Sequence, residues 1–193
     1  MLLVTALISI FVLCAAETKT MSLNPGEEVP LYRTARRVLR RAGHLHLLWY
    51  SNELNGRVTE CLVSQFLNQT EFGAKRTLET NSKFEDPTNP DGSSKNSKLN
   101  ITASVYNVSN YQYLVLEPHG GELTKGWDGP HDVLYANATP GCIVLEALLF
   151  LERKIVCVMW GVRNSWQHCS HYVQEKCTEG QKVNLTDCEI KKK

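Results

Sequence analysis

Cysteine placement constrains this chain more than any other feature. Five of its seven cysteines lie from position 142 onward, at Cys142, Cys157, Cys169, Cys177 and Cys188. Two sit in apolar, strand-like runs, GCIVLEALLF (141–150) and KIVCVMWGV (154–162). Two more sit in a polar, helix-like segment, SWQHCSHYVQEKC (165–177), and Cys188 closes a short tail. Such spacing ties a core to the chain's own C-terminal segment, and the residues upstream must supply the rest of that core.

What the cysteines do depends on compartment. Residues 1–16, MLLVTALISIFVLCAA, read as a secretory signal peptide with small residues at the cut, Ala15 and Ala16. The apolar run is shorter than the roughly 20 residues a membrane span needs, and no later segment is long and apolar enough to cross a bilayer. Cleavage removes Cys14 and leaves six cysteines, with Cys61 the one upstream. An even set in a secreted chain predicts disulfides, and six cysteines allow fifteen pairings. Five N-x-S/T sequons, at Asn68, Asn100, Asn107, Asn137 and Asn184, predict an extracellular glycoprotein with those asparagines on the surface. Residues 17–193 are the length of one domain. A net charge of +1, from 21 basic and 20 acidic residues, argues against nucleic acid as a partner.

Pro30 can occupy the first turn of a helix over PLYRTARRVLRRA (30–42). Leu31, Ala35, Val38, Leu39 and Ala42 form its apolar stripe, and Arg33, Arg36, Arg37, Arg40 and Arg41 read as a solvated face, with an acidic glycan or membrane surface as the alternative use. After Gly43 the period changes to that of strands. Candidates run over 44–52, 57–67, 72–80, 98–106, 110–118, 131–137, 141–150 and 154–162. Residues 81–97, rich in Pro, Gly and Ser, predict a surface loop, as do residues 119–129, where Trp127 is expected to be exposed unless it folds over something. Eight sequential strands without crossover helices predict an antiparallel meander. Closing it into an up-and-down barrel removes the unpaired edges. At eight strands the interior holds about one small ligand. The fold class is therefore all-β, an eight-stranded antiparallel barrel with a helix at each end.

No catalytic signature is present: the chain lacks G-x-S-x-G, H-E-x-x-H and a glycine-rich phosphate loop. His44 and His46 share one side of a strand but read as exposed histidines rather than a metal site. His168, Cys169 and His171 imitate a zinc cluster only if the cysteines stay reduced, which an oxidising compartment prevents. The reading is a binding protein without cofactor or metal.

DVLYANATPGCIVLEAL, KIVCVMWGV, HCSHYVQEKC and the final DC, together with Cys61 on the second strand, resemble the tick salivary lipocalins, the group containing the histamine-binding proteins. The likeness runs from Leu31 to Cys188 and is strongest after position 131. It implies a Cys61–Cys188 bridge tying the tail across the barrel and a Cys142–Cys169 bridge pinning the C-terminal helix outside, which leaves Cys157 and Cys177 for each other. With Cys142 and Cys157 facing that helix, alternation turns Ile143, Leu145, Ala147 and Leu149 inward, and Val156, Val158 and Trp160 on the next strand. Val133 and Tyr135, with Tyr113 and Trp49, are expected to complete an aromatic-lined pocket. In that phase Asp132 and Glu146 face outward, and an apolar lining favours a sterol, fatty acid or eicosanoid. A one-residue slip would turn both acids inward and favour a biogenic amine such as histamine or serotonin. The Japanin-like subgroup of the family, which modulates dendritic cells and can hold a sterol, fits the helix-first order and the sequons. A further expectation is contact with a host immune protein or cell surface through loops 81–97 and 119–129, with Trp127 as anchor.

Overall fold

The computed structural model describes residues 30–56, 58, 61–80, 98–109, 111–120, 123, 127, 129–149, 154–186 and 188. The expected signal peptide, the 81–97 loop, much of the 119–129 loop and the terminal lysines lie outside the described residues. Helix α1 (Pro30–Leu39) is followed by strands β1 (His44–Ser51), β2 (Leu62–Gln69), β3 (Gly73–Thr80), β4 (Lys98–Val108) and β5 (Tyr111–His119). Strands β6 (His131–Asn137), β7 (Cys142–Leu149) and β8 (Lys154–Gly161) come next, then helix α2 (Trp166–Lys176) and a short strand β9 (Gly180–Lys182).

Each strand from β2 to β8 pairs antiparallel with the next, and β1 pairs with both β8 and β2, so the sheet closes into an eight-stranded barrel. The closing seam has two parts. His44, Leu45 and His46 pair with Gln65, Ser64 and Val63 of β2, whereas Trp49, Tyr50 and Ser51 on the same edge pair with Lys182, Gln181 and Gly180 of β9. Strand β9, absent from the expectation, takes the edge that β2 leaves.

Helix α1 closes one end of the barrel. Ala35, Val38 and Leu39 are buried against the barrel core, as their helical spacing requires. The helix stops at Leu39, short of the expected residue 42, because the backbone tightens: Arg41 N–H donates to Val38 C=O at 3.2 Å, and Gly43 takes a φ of +89°. The arginines are not simply a solvated face. Arg36 and Arg40 donate to the Glu71 carbonyl at 2.7 and 2.8 Å, and Arg40 also reaches Thr70 O and Gly73 O. Arg41 donates to Ala138 O at 3.3 Å. The cluster thereby fastens α1 to the β2–β3 and β6–β7 turns.

All three bridges form: Cys61–Cys188, Cys142–Cys169 and Cys157–Cys177. Cys61–Cys188 packs with the inner core, whereas Cys142–Cys169 and Cys157–Cys177 hold α2 against the outer wall. There Leu48, Trp49, Cys142, Val144, Cys157, Met159, Cys169 and Val173 make a second core, distinct from the one inside the barrel. Among the described residues no helix is long and apolar enough to cross a membrane.

Candidate ligand-binding site

The barrel interior is walled by alternate residues of its strands. Leu45 of β1, Leu78 of β3, Ile101 and Ala103 of β4, and Leu114 and Leu116 of β5 face one cavity. Ile143 and Leu145 of β7 and Trp160 of β8 complete its wall, and Leu39 of α1 contributes from the closed end. Its polar lining residues are Ser64 and Arg76. Trp127 reaches in from the β5–β6 connection, only 4% exposed, stacked on His131 at 5.8 Å and edge-on to Trp160 at 5.6 Å. Beyond it lies a second hollow bounded by Leu54, Val58, His131, Ala147, Val156 and Val158.

The free space is small. The first hollow has a volume of about 40 Å³ and the second about 10 Å³. A single water needs about 10–15 Å³. Trp127 lines both hollows and divides them, so it occupies volume that would otherwise make one chamber.

Of the residues expected to line the pocket, Ile143, Leu145 and Trp160 do, Val156, Val158 and Ala147 line the second hollow, and Val133 lies in the inner core. Leu149 sits in β7, paired with Lys154. Three aromatics lie elsewhere. Trp49 and Tyr135 belong to the outer core, each beside a register shift, between Leu47 and Trp49 in β1 and between Val133 and Tyr135 in β6. An extra residue at a bulge reverses the in–out phase beyond it. Tyr135 consequently stacks on Tyr172 of α2 at 4.9 Å, and Trp49 packs so closely on Gly180 that a Cβ there would collide with its ring. Tyr113 alternates away from the inward Leu114 and stacks outside on Tyr106 at 5.5 Å. Trp127, expected to be an exposed anchor, is instead inside.

Residues unremarked in the sequence supply most of the wall. Ile101 and Ala103 alternate in NITASV, as do Leu114 and Leu116 in YLVLEP, so period-two alternation was available to find them. Arg76 gave no such signal, because Lys75 and Arg76 are both cationic and the alternation is silent. Burial of the Arg76 guanidinium holds its pKa down at about 10. It donates from Nη1 to Leu39 O (2.7 Å) and Arg41 O (3.1 Å), the carbonyls at the end of α1.

Asp132 and Glu146 are cross-strand neighbours on the outer face, opposite in phase to the inward Val133 and Leu145. Burial, and then the Asp132 charge, push the Glu146 carboxyl above its ordinary range. His44 and His46 lie 6.2 Å apart by ring centres. Burial, then His44 and Arg163, lower the His46 pKa. Among the described residues no group of three or more potential metal ligands gathers. Of the sequons, Asn68, Asn100 and Asn184 are exposed. Asn107 and Asn137 are half-buried, their side-chain oxygens accepting from Gln112 and from the Thr139 N–H.

No family model and no curated protein matches this chain. Solved structures do. Japanin from Rhipicephalus appendiculatus, crystallised with cholesterol, superimposes with a TM-score of 0.54 over 81% of this chain and 96% of its own, at 15% identity. Lobster apocrustacyanin A1 aligns over 77% of this chain and 78% of its own at 8% identity, with a TM-score of 0.42. The chain has the lipocalin fold, and the resemblance to the tick salivary lipocalins read from its cysteines extends to that fold.

Proposed function

We propose that this chain is a secreted lipocalin, not an enzyme, that carries or sequesters a small hydrophobic ligand within its barrel and thereby modulates host immune or inflammatory responses. The observation that carries the reading is the closed barrel whose interior lining, among the described residues, is apolar apart from Ser64, Arg76 and His131. The cholesterol in the crystal of the similarly folded Japanin supports a ligand of this class. Secretion rests on the residue 1–16 segment, the sequons and the three disulfides.

A drug-sized ligand fills about 300–1,000 Å³, so binding requires Trp127 to leave the interior. A biogenic amine fits less well. No acid among the described residues lines the cavity, Asp132 and Glu146 face away, and Arg76 is already a buried cation. The test is native mass spectrometry of protein secreted from a eukaryotic host. A co-purifying lipid is expected, and a protein that arrives empty and takes up no sterol, fatty acid or eicosanoid would overturn the assignment.

A second reading, contact with a host protein, shifts from Trp127 to the outer wall. Phe72, Tyr106 and Tyr113 form an aromatic ladder there, with Phe72–Tyr106 at 5.4 Å, and Val108 and Tyr111 beside it are 53% and 72% exposed. Tyr111→Ser should then abolish effects on host cells while leaving ligand uptake intact, and undiminished cell effects would count against it.

A further inference from the structure

The floor of the barrel holds a buried cation whose partners are all uncharged. Arg76 stands between Ala74 and Leu78 on the inward face of β3 and is 1% exposed. Besides the two carbonyls at the end of α1, its Nη2 donates to Gly43 O (2.9 Å) and Ser64 O (2.8 Å), and its Nε donates to Ser64 Oγ (2.9 Å). All five N–H groups are thus spent on neutral oxygens. The negative end of the α1 dipole offsets part of the charge. No carboxylate among the described residues supplies the rest.

Ser64 passes that charge toward the cavity. It alternates with Leu62 and Phe66, which pack into the inner core, and it lines the same hollow as Arg76. A hydroxyl has two lone pairs and one proton. One lone pair accepts from Arg76, and no described residue accepts the proton. A buried donor without an acceptor is costly, and this one is polarised by the guanidinium behind it.

We infer that the barrel's ligand is anionic at its buried end, an acyl chain whose carboxylate accepts a hydrogen bond from Ser64 Oγ with Arg76 as its fixed counter-charge. The inference rests on the carrier reading above and narrows it: it selects acids over neutral sterols and alcohols and rejects amines. In the orientation it implies, the hydrocarbon tail runs along Leu78, Leu114 and Leu116 toward the place held by Trp127.

The test is calorimetric titration of the full disulfide-bonded protein with oleic acid, methyl oleate and oleyl alcohol. A hydrogen bond to a charged group predicts the acid to bind about tenfold or more tighter than the ester or the alcohol. Ser64→Ala should cut that acid-to-ester ratio below about threefold. The wild-type comparison stands alone if the variant fails to fold. Equal affinities for acid, ester and alcohol would overturn the inference and leave the carrier reading intact. No binding by any of the three would overturn the carrier reading itself.

Discussion

Replacing Trp127 with alanine should weaken the fold and strengthen ligand binding together. The indole is 4% exposed, pressed between His131 and Trp160, and parts two small hollows. A buried aromatic of this size removes about 150–250 Å² from water. At about 25 cal/mol per Å² that is worth about 4–6 kcal/mol, an upper bound because the unfolded chain already hides part of it. The expected loss of stability is therefore about 3–5 kcal/mol, in the range of other Trp-to-Ala changes in cores. A ligand entering the wild-type barrel must first turn the same ring out. If the displaced ring recovers about half its contacts on the rim, binding is weakened by about 2–3 kcal/mol, or roughly 30- to 150-fold. Denaturant unfolding would measure the first effect, and titration of wild type and Trp127→Ala with oleic acid the second. A variant that binds no better than wild type would refute the view that Trp127 is a displaceable plug, and one that binds worse would make the ring part of the ligand's own wall.

Other expectations follow from the bridges, the outer carboxylates and the two cores. Removing Cys61–Cys188, which spans 127 residues, should cost about 5 kcal/mol by the chain-entropy estimate, against about 3 kcal/mol for Cys157–Cys177 across 20; paired Cys→Ser variants compared by denaturant midpoint would show a reversed order if that reasoning fails. Because the folded state raises the Glu146 pKa, its proton is held more tightly folded than unfolded, so a penalty exists above the folded pKa and fades as pH falls to the unfolded value. Glu146→Gln should accordingly stabilise by less than about 1 kcal/mol at pH 7 and by nothing measurable near pH 4; an equal effect at both pH values would contradict the upward shift that burial, and then Asp132, impose on the carboxyl. Ile143→Trp should fill the cavity and abolish uptake, whereas Tyr135→Ala should loosen α2 yet leave affinity within about twofold; loss of binding in the second variant would return Tyr135 to the site.

The strands were legible because their apolar runs are bounded by turn residues, and the closure because eight strands in sequence leave no better use for their edges. The three pairings came through resemblance, since spacing alone left fifteen open. What the sequence hid was phase. At Leu47–Trp49 and Val133–Tyr135 a single extra residue moves a large aromatic from one core to the other, and both cores are apolar enough to accept it. Ile143, Leu145, Val158 and Trp160, on strands without such a shift between them, could be placed from the cysteines alone. Arg76 was hidden for a different reason: a buried arginine is rare, and four of its five acceptors, the carbonyls of Leu39, Arg41, Gly43 and Ser64, are backbone atoms with no side-chain signature.

The divided edge of β1 bears on how the protein is made. Its first half pairs with β2, which follows closely in the chain, but the partners of Trp49 to Ser51 are Gly180 to Lys182, and the partner of Cys61 is Cys188, 127 residues on. During synthesis the half-built sheet therefore keeps an open, apolar margin until Gly180 to Lys182 have left the ribosome, and a nascent chain cut short before β9 would retain that margin as a place for another copy to add its own strand.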